Sequence, residues 1–323
     1  MAEDWKDKLV EAFTTKLVQS IDINKLMLLK SENIPKSLFK YRDFENKYHV
    51  DTLVNKRLWM ASALSFNDPY DTACHINYAE LLVEDYTEAE LTAVIEAVKA
   101  GIALPKALKN PIKVSEFREK IASWHVHKTT PEERENFARG ADLLYGKISN
   151  DQSEGMSKFF QEGHAICSFS ERIDSILMWG HYANSHKGFA IEYDFRSLNP
   201  DNILSRMLFP VFYSDKLLDL TNTFNFIEGE TFNNFAAIYA CLNKNVEWSY
   251  EHEWRLVFNS GPSQVNYLID APSIVGVYVG SQCNEKNLAI ASEFAHTNSV
   301  ALYRMKLDRK SYKLDAEVIQ ASS

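Results

Sequence analysis

The sequence predicts an α+β fold with a mixed, mainly antiparallel sheet, and three observations lead to this prediction. Apolar residues recur at every fourth position near the N-terminus, which is typical of an amphipathic helix. The region 78–160 is rich in Ala, Glu, Lys and Leu and is interrupted by prolines. Strand-like segments lie before and after this region, and strands grouped apart from helices indicate α+β rather than repeated βαβ units.

The chain has 323 residues, of which 46% are hydrophobic and 24% charged, as in ordinary globular proteins. No repeat of fixed period and no Gly/Ser tract indicates a linker. We therefore expect a single α+β domain over residues 1–323, long enough to bury a sizeable core. Within it we expect an N-terminal helical segment at 1–34 and a large helical insertion at 78–160.

The first part of the chain predicts two strands joined by a helix. One helix is expected over 4–30. Leu38–Arg42 and Leu58–Ser62 are typical of strands, and a helix is expected between them near 45–56. The segment 66–71 contains Asn and Asp before proline, which favours a tight turn.

Strands dominate the prediction after residue 163. In the segment 188–195, Phe189, Ile191, Tyr193 and Phe195 fall on one face. The predicted strands are 165–169, 188–195, 208–213, 248–258, 274–279 and 299–306, and helices are expected at 170–186, 229–244 and 285–295.

The segment 248–258 alternates strictly between aromatic or apolar residues and polar ones, apart from His252. This period of two predicts a half-buried strand with Glu251 and Glu253 side by side on its polar face. Adjacent carboxylates raise the pKa of one of them, while Arg255 holds the other ionised. A solvated strand face is the alternative interpretation, and the aromatic density on the reverse face favours a central strand instead.

Two further polar clusters have both structural and functional interpretations. Asn67, Asp68 and Asp71 lie in the turn after the second strand, where they either end that strand or line a cleft. Trp179 and Tyr182 share one face of a predicted helix, a pattern that more often indicates core packing than a site. His181 lies near the opposite edge of that helix, and a lone histidine is usually structural.

Cysteine spacing and net charge limit the cellular compartment and the kinds of partner that we expect. Four cysteines lie far apart without a C-x-x-C pair, which excludes the usual zinc spacings and fits reduced thiols. No run of about 18 apolar residues is present, and the acidic N-terminus is unlike a secretory signal. We expect a cytoplasmic protein without membrane contact. The net charge of −9 disfavours a broad nucleic-acid surface, but a local groove can still bind a short single strand.

Four blocks occur in order over about residues 38–258 and resemble the signature of a bacterial family known only as a domain of unknown function. The family patterns are K-Y-R, F-N-D-P-[FY]-D, M-W-x-H-Y-A-x-x-H-x-G and W-x-Y-E-x-E-W-R. In this chain they are Lys40–Arg42, Phe66–Asp71, Met178–Gly188 and Trp248–Arg255. The combination is much more specific than any one block.

A more distant resemblance connects the chain with ADP-ribosyltransferases, including DNA-targeting toxins. These enzymes place an Arg or His on a first strand, a Ser or Tyr on a second strand and a catalytic E-x-E on a late strand. Arg42, Ser62 and the pair Glu251 and Glu253 follow that order. The spacing is stretched by the insertion, and no Ser-Thr-Ser triplet is present, so the middle element stays open.

This resemblance implies an ADP-ribosyltransferase-like sheet core and NAD as the substrate, with Glu253 as the main catalytic residue and Glu251 assisting it. A carboxylate would stabilise the oxocarbenium-like charge at the ribose, an arginine would hold the pyrophosphate, and aromatic faces would stack on nicotinamide. The implied NAD-binding set is Tyr41, Arg42, Ser62, Asn67, Asp68, Tyr70, Asp71, Trp179, His181, Tyr182 and Arg255.

The resemblance also implies a nucleic-acid or protein acceptor, and a toxin or phage-defence effector with a partner protein from a toxin–antitoxin or defence system. One alternative is a Mg²⁺-dependent nuclease that uses Asp68, Asp71, Glu251 and Glu253, although Arg255 stands where a lysine is expected. Another is a non-enzymatic nucleotide- or protein-binding module. We expect no resident metal, because no second ligand stands at zinc spacing from the histidine of the third block.

Overall fold

The computed structural model describes residues 5–77, 146–147, 150–224, 233–261 and 267–322. Within these ranges the chain is mixed α+β around a mainly antiparallel ten-stranded sheet, which confirms the predicted class. Most of the predicted helical insertion at 78–160 lies outside the described residues. Its described part, residues 146–147 and 150–160, is helical.

The N-terminal segment contains two helices, so the prediction of one helix over 4–30 is wrong. Helix α1 is Trp5–Thr14 and helix α2 is Ile23–Glu32. They are separate because the side chain of Asp22 accepts a hydrogen bond from the backbone N–H of Lys25 and starts a new helix there. The apolar side of α1 places the ring of Phe13 5.6 Å from that of Phe209, against the sheet.

The remaining helices frame the sheet and are α3 Lys47–Val54, α4 at 150–163, α5 Ile176–Tyr182, α6 Ile203–Met207, α7 Thr221–Phe224, α8 Phe235–Ala240 and α9 Glu285–Asn298. Helix α5 begins later than predicted, because Ser175 rather than Ser170 caps it by accepting from the N–H of Met178. It also ends earlier, since the backbone takes positive φ angles from Asn184 to His186.

The strands, in chain order, are β1 Leu38–Arg42, β2 Arg57–Ser62, β3 Cys74–His75, β4 His164–Ser170, β5 Phe189–Tyr193, β6 Leu208–Pro210, β7 Phe212–Ser214, β8 Leu218–Asp219, β9 Asn243–Asn245, β10 Glu253–Asn259, β11 Tyr267–Asp270, β12 Ile274–Val279, β13 Ala301–Leu307 and β14 Leu314–Gln320. The main sheet runs β11-β2-β4-β1-β5-β12-β13-β14, with β10 beside β4 and β6 beside β10. β12 and β13 are parallel, whereas β3–β8 and β7–β9 form separate parallel pairs.

Several strand predictions are confirmed and two need correction. Phe189, Ile191, Tyr193 and Phe195 are all buried in the main core, as their alternation predicts. The single strand predicted at 208–213 is divided between β6 and β7, which belong to different sheets. The helix predicted at 229–244 is described only from 233 onward, where α8 ends before β9 begins.

The prediction of one strand over 248–258 is wrong in its first half. Val246–Glu251 is a 3₁₀ helix, and His252 follows with a φ of 45°, in the left-handed region that β-strands do not use. Strand β10 therefore begins only at Glu253. The alternating pattern extends across this break, and the left-handed residue turns Glu251 back towards the strand that follows.

Strand β4 positions the site because it changes its pairing partner along one edge. Ala165 and Ile166 pair with β2, whereas Ser170 pairs with Phe39 of β1. The opposite edge of β4 pairs with β10 along its whole length. An opening therefore forms beside residues 167–169, between the ends of β1 and β2.

Two general features accompany this fold. The four cysteines are all buried, free thiols. Among the helices of the described residues, none has the length and apolar character needed to cross a lipid bilayer.

Candidate functional site

A cleft occupies the opening beside β4. Its volume of about 190 Å³ is smaller than the roughly 300–1,000 Å³ of pockets that enclose a whole drug-sized ligand. It therefore has room for one end of a large ligand. The cleft is lined by Phe39, Lys40, Tyr41, Arg42, Phe66, Asn67, Asp71, Ser168, Phe169, Ser170, Met178, Tyr182, Lys244, Glu251, Glu253 and Arg255.

Lys244 lies at the centre of a buried group of charges in this cleft. Its Nζ atom is 2.5 Å from Glu251 Oε2 and 3.0 Å from Glu253 Oε2, so one ammonium joins both carboxylates. Asp71 Oδ2 lies 3.9 Å from the same nitrogen. Arg255 donates to both oxygens of Asp71 at 2.7 Å and, through Nε, to Glu253 Oε1 at 2.8 Å. All five side chains are buried, which proteins tolerate only for paired and hydrogen-bonded charges.

Different elements bring these charges together. Glu253 and Arg255 are two residues apart on β10, so they project from the same face of the sheet. The turn at His252 brings Glu251 onto the same lysine, although it precedes the strand. Lys244 comes from β9 and Asp71 from the turn after β2, and Arg255 bridges that turn to β10.

The two glutamates have opposite tendencies to bind a proton. Burial raises the pKa of Glu251, and the neighbouring charge of Glu253 raises it further against the opposing effect of Lys244. Burial also acts to raise the pKa of Glu253, but Arg255 and Lys244 outweigh it and hold this pKa well below its usual range. The two carboxyl groups therefore differ, with the pKa of Glu253 lowered and the pKa of Glu251 raised.

Tyr182 adds a hydrogen bond to the more basic carboxylate. Its hydroxyl donates to Glu251 Oε1 at 2.6 Å, on the oxygen that Lys244 does not contact. Both oxygens of Glu251 are therefore engaged, and the carboxylate is held in one orientation. Burial and the charge of Glu251 raise the pKa of Tyr182, so the phenol stays protonated and acts as a donor.

Strand β1 supplies positive charge to the same cleft. Lys40 Nζ donates to the backbone carbonyl of Ser168 at 2.5 Å and so bridges β1 and β4. Burial lowers the pKa of Lys40 to about 8, and the charge of Arg42 acts in the same direction. Arg42 Nε is buried and has no hydrogen-bond partner within the part of the chain that the structure describes. An anionic ligand would provide the missing acceptor.

The structure brings together most of the site residues expected from the sequence. The glutamate pair shares one cleft with the arginine of β1 and with part of the turn after β2, as expected. The residues that line the cleft are Tyr41, Arg42, Asn67, Asp71, Tyr182, Glu251, Glu253 and Arg255.

Five expected residues lie outside the cleft lining. Ser62 donates to the carbonyl of Gln161 and caps a short 3₁₀ helix. Asp68 accepts from the N–H of Tyr70, whose own ring is exposed. Trp179 is fully buried, and its indole donates to a backbone carbonyl, in agreement with core packing. His181 lies at the surface, and its Nδ1 atom is 3.0 Å from the hydroxyl of Tyr250. Tyr250 is the residue that precedes Glu251 in the sequence.

Sequence reasoning missed Lys244 and Lys40. Lys244 lies in a short polar run between two apolar segments, where no periodic pattern distinguishes it. One signal could have identified it. A buried E-x-E pair carries two negative charges, whereas Arg255 supplies only one positive charge, so a second cation is needed. Lys40 is the first residue of the K-Y-R block, and its place in that block is the signal that could have identified it.

The carboxylates do not form an open metal site. Within the described ranges, no group of three or more His, Cys, Asp or Glu side chains is arranged to hold a metal ion. The oxygens of Asp71, Glu251 and Glu253 instead face the two cationic side chains. A metal ion at this position would have to displace the Lys244 ammonium.

A family described as "Protein of unknown function (DUF2971)" matches residues 178–256. This match confirms the resemblance to a family of unknown function over that stretch, which contains Tyr182, Lys244 and the segment 251–255. Comparisons with curated proteins and with solved structures found no match.

We predict that Arg255→Met lowers the free energy of unfolding by about 3–5 kcal/mol, because it leaves Asp71 and Glu253 buried without their shared guanidinium. The matched control is Arg172→Met, which removes the half-exposed pair with Asp174 and should cost about 0–1 kcal/mol. Urea denaturation monitored by circular dichroism measures both. Equal losses in the two variants would contradict the buried ion network.

Proposed function

We propose that the cleft binds NAD and cleaves the bond between nicotinamide and ribose, with transfer of ADP-ribose to an acceptor or to water. The observation that carries this proposal is the pair of buried glutamates joined by Lys244, of which only Glu253 is also held by Arg255, in the same cleft as Arg42. This difference in contacts lowers the pKa of Glu253 and leaves the pKa of Glu251 raised by burial. A site of this kind supplies a fixed negative charge and a base side by side. Both are what the cleavage of an N-glycosidic bond requires.

The buried carboxylates of the cleft suit an oxocarbenium-like transition state. When the bond between the ribose C1 atom and nicotinamide breaks, nicotinamide leaves as a neutral molecule with the bonding electrons and needs no proton. Positive charge then develops on the ribose. The buried network formed by Asp71, Glu251, Glu253, Lys244 and Arg255 carries a net formal charge of −1 when all five are ionised, whereas Lys40 and Arg42 place positive charge on the β1 side of the cleft. The carboxylates of this network, rather than the charge of the whole cleft, would stabilise the developing cation.

Glu251 is the better candidate for proton transfer. The attacking hydroxyl, amine, base or water forms its bond to the ribose C1 atom and must release a proton. The raised pKa of Glu251 makes its carboxylate the stronger base of the pair. Glu253 is held by two cations and contributes its charge. The distant resemblance implied the leading catalytic role for Glu253. The contacts of the two side chains instead favour Glu251 as the base and Glu253 as the fixed charge.

The rest of the cleft supports binding of one end of a dinucleotide. Phe39, Phe66 and Met178 provide apolar surface next to polar groups, which suits a planar nicotinamide ring. The unpartnered Nε of Arg42 would donate to a phosphate oxygen. An ADP-ribosyltransferase-like core is part of the proposal, supported by the order of Arg42 on the first strand and the glutamate pair at the start of a late strand.

The acceptor and the cellular role follow from the resemblance alone. We propose a nucleic-acid or protein acceptor, and a toxin or phage-defence effector controlled by a partner protein. A cytoplasmic location belongs to the same proposal, and the four free, buried cysteines support it.

A Mg²⁺-dependent nuclease is the second candidate. The observation that favours it is the convergence of Asp71, Glu251 and Glu253 on a single cationic position. Three carboxylates around one centre are the ligands that Mg²⁺ prefers. In this structure the Lys244 ammonium holds that centre, so the nuclease hypothesis requires this lysine to move aside.

We predict that Glu251→Gln lowers nicotinamide release from NAD by about 10²–10⁴-fold, because the cleft loses its base. Glu253→Gln should lower it by about 10²–10³-fold through loss of fixed charge. The matched control is Glu247→Gln, an exposed glutamate on the same 3₁₀ helix, which should retain wild-type release. The assay is chromatography of nicotinamide with and without nucleic-acid and protein acceptors.

Three results would reject this assignment in different ways. Equal release by wild type and Glu251→Gln would remove the proposed base. No release from the wild type, together with Mg²⁺-dependent cleavage of nucleic acid, would favour the nuclease. NAD binding without turnover of any substrate would favour a binding module.

We predict that Tyr182→Phe moves the acid limb of the pH–rate profile to higher pH. The Tyr182 hydroxyl stabilises the ionised carboxylate of Glu251, so its loss raises the pKa of Glu251 further. A base works only when deprotonated, and the raised pKa therefore delays activity until a higher pH is reached. The measurement is kcat/KM for NAD across pH, and an unchanged limb or a shift to lower pH would contradict the role of Glu251.

A further inference from the structure

A second cavity adjoins the cleft, and Arg42 lines both. Its volume of about 490 Å³ falls within the range of pockets for small organic ligands. Its wall combines residues of the N-terminal part of α3 with residues of β2 and β11. The side chains from which its ligand is inferred are Arg42, Asn46, Tyr48, His49, Trp59 and Leu268. The Asp51 carboxylate also lines the cavity, and its Oδ1 atom accepts from the side-chain amide of Asn55 at 2.8 Å.

One wall of this cavity is apolar and solvent-accessible. Trp59 is 44% exposed, whereas its neighbours Leu58 and Met60 are buried, because alternate residues of β2 project to opposite faces. Leu268 of β11 pairs with Trp59 and is 38% exposed. Tyr48 is 69% exposed at the start of α3. These side chains leave aromatic surface on which a planar ring can stack.

His49 contributes a hydrogen-bond donor to the same cavity. Its Nδ1 atom accepts from the backbone N–H of Asp43 at 3.1 Å, so a neutral ring carries its proton on Nε2. The side-chain nitrogen of Asn46 lies 3.4 Å from Nε2, but the oxygen of that amide already accepts from Tyr48. Two donors therefore face each other across this contact, and an acceptor oxygen of a ligand at this point would satisfy both.

Positive charge completes the arrangement. Arg42 Nε is buried and lacks an acceptor among the residues described. Burial and the charges of Arg42 and Lys40 lower the pKa of His49 to about 4, so the histidine is a neutral donor at physiological pH and Arg42 is the cation. An aromatic ring and an anionic group, held a short distance apart, match these features together.

We propose that this second cavity binds a nucleobase linked to a phosphate, with the base stacked on Trp59 and the phosphate at Arg42. The same chemistry has two sources. One is the AMP half of the dinucleotide whose nicotinamide end occupies the cleft, an assignment that rests on the proposed function. The other is a free mononucleotide that binds independently of NAD cleavage. The position of Arg42 on both cavities accommodates either source.

Isothermal titration calorimetry with AMP tests the site directly. Wild type should bind AMP more tightly than adenosine or inorganic phosphate, because each of these probes has half of the recognised chemistry. Trp59→Ala should weaken AMP binding by about 5- to 100-fold through loss of stacking, and Trp59→Phe should retain most of it. The remote control is Tyr312→Ala, which removes an aromatic side chain that is 99% exposed.

Two results would overturn the proposal. The first is that the wild type does not bind AMP. The second is that wild type and a Trp59→Ala variant with an unchanged circular dichroism spectrum bind AMP with equal affinity. Because the Trp59 side chain is half-exposed and lies outside the core, the variant should fold. Trp59→Phe provides the second measurement should the alanine variant lose stability.

The effect of Trp59→Ala on NAD kinetics distinguishes the two sources of the nucleotide. If the site holds the AMP half of NAD, Trp59→Ala raises KM for NAD more than it lowers kcat. If the site holds a free mononucleotide, Trp59→Ala weakens AMP binding and leaves KM for NAD unchanged. AMP binding that depends on Trp59, without any NAD cleavage, supports the site and rejects only the proposed function. NAD cleavage without AMP binding supports the proposed function and rejects the nucleotide site.

Discussion

The candidate site depends on the Lys244 ammonium, which lies between Glu251 and Glu253. Three buried carboxylates would repel one another and lose their hydration, and Arg255 contacts only two of them and supplies a single positive charge. The lysine supplies the missing charge. It also makes the two glutamates unequal, because Glu253 is shared by both cations and Glu251 by one. The division of roles proposed for the two glutamates follows from this inequality.

How much of this arrangement the sequence predicts depends on the range of the interactions. Local periodicity predicts the buried face of Phe189 to Phe195 and the common face of Glu253 and Arg255. It fails at His252, because a left-handed residue breaks the strand without breaking the alternating pattern. It also fails at Lys244, whose role comes from contacts with a distant turn and a neighbouring strand. Such contacts leave no local signal.

The architecture explains why the cations and the carboxylates meet. Strand β4 pairs with β2 at Ile166 and with β1 at Ser170, so a gap forms between these two partners. The polar turn after β2 and the end of β1 both reach this gap, while β10 presents Glu253 from the other edge of β4. Arg42 lines both this cleft and the adjoining cavity, so the two cavities share one cationic side chain.

Titration of the glutamate carboxyl carbons by ¹³C NMR is the most direct test of the central claim, that Glu251 and Glu253 share one cleft with opposite proton affinities. In wild type, one glutamate should titrate above the usual pKa of about 4.3. Its signal should be absent in Glu251→Gln and should move to lower pH in Glu253→Gln, because the neighbouring charge is removed. A wild-type spectrum in which no glutamate titrates above that value, or in which the raised titration persists in Glu251→Gln, would contradict the account.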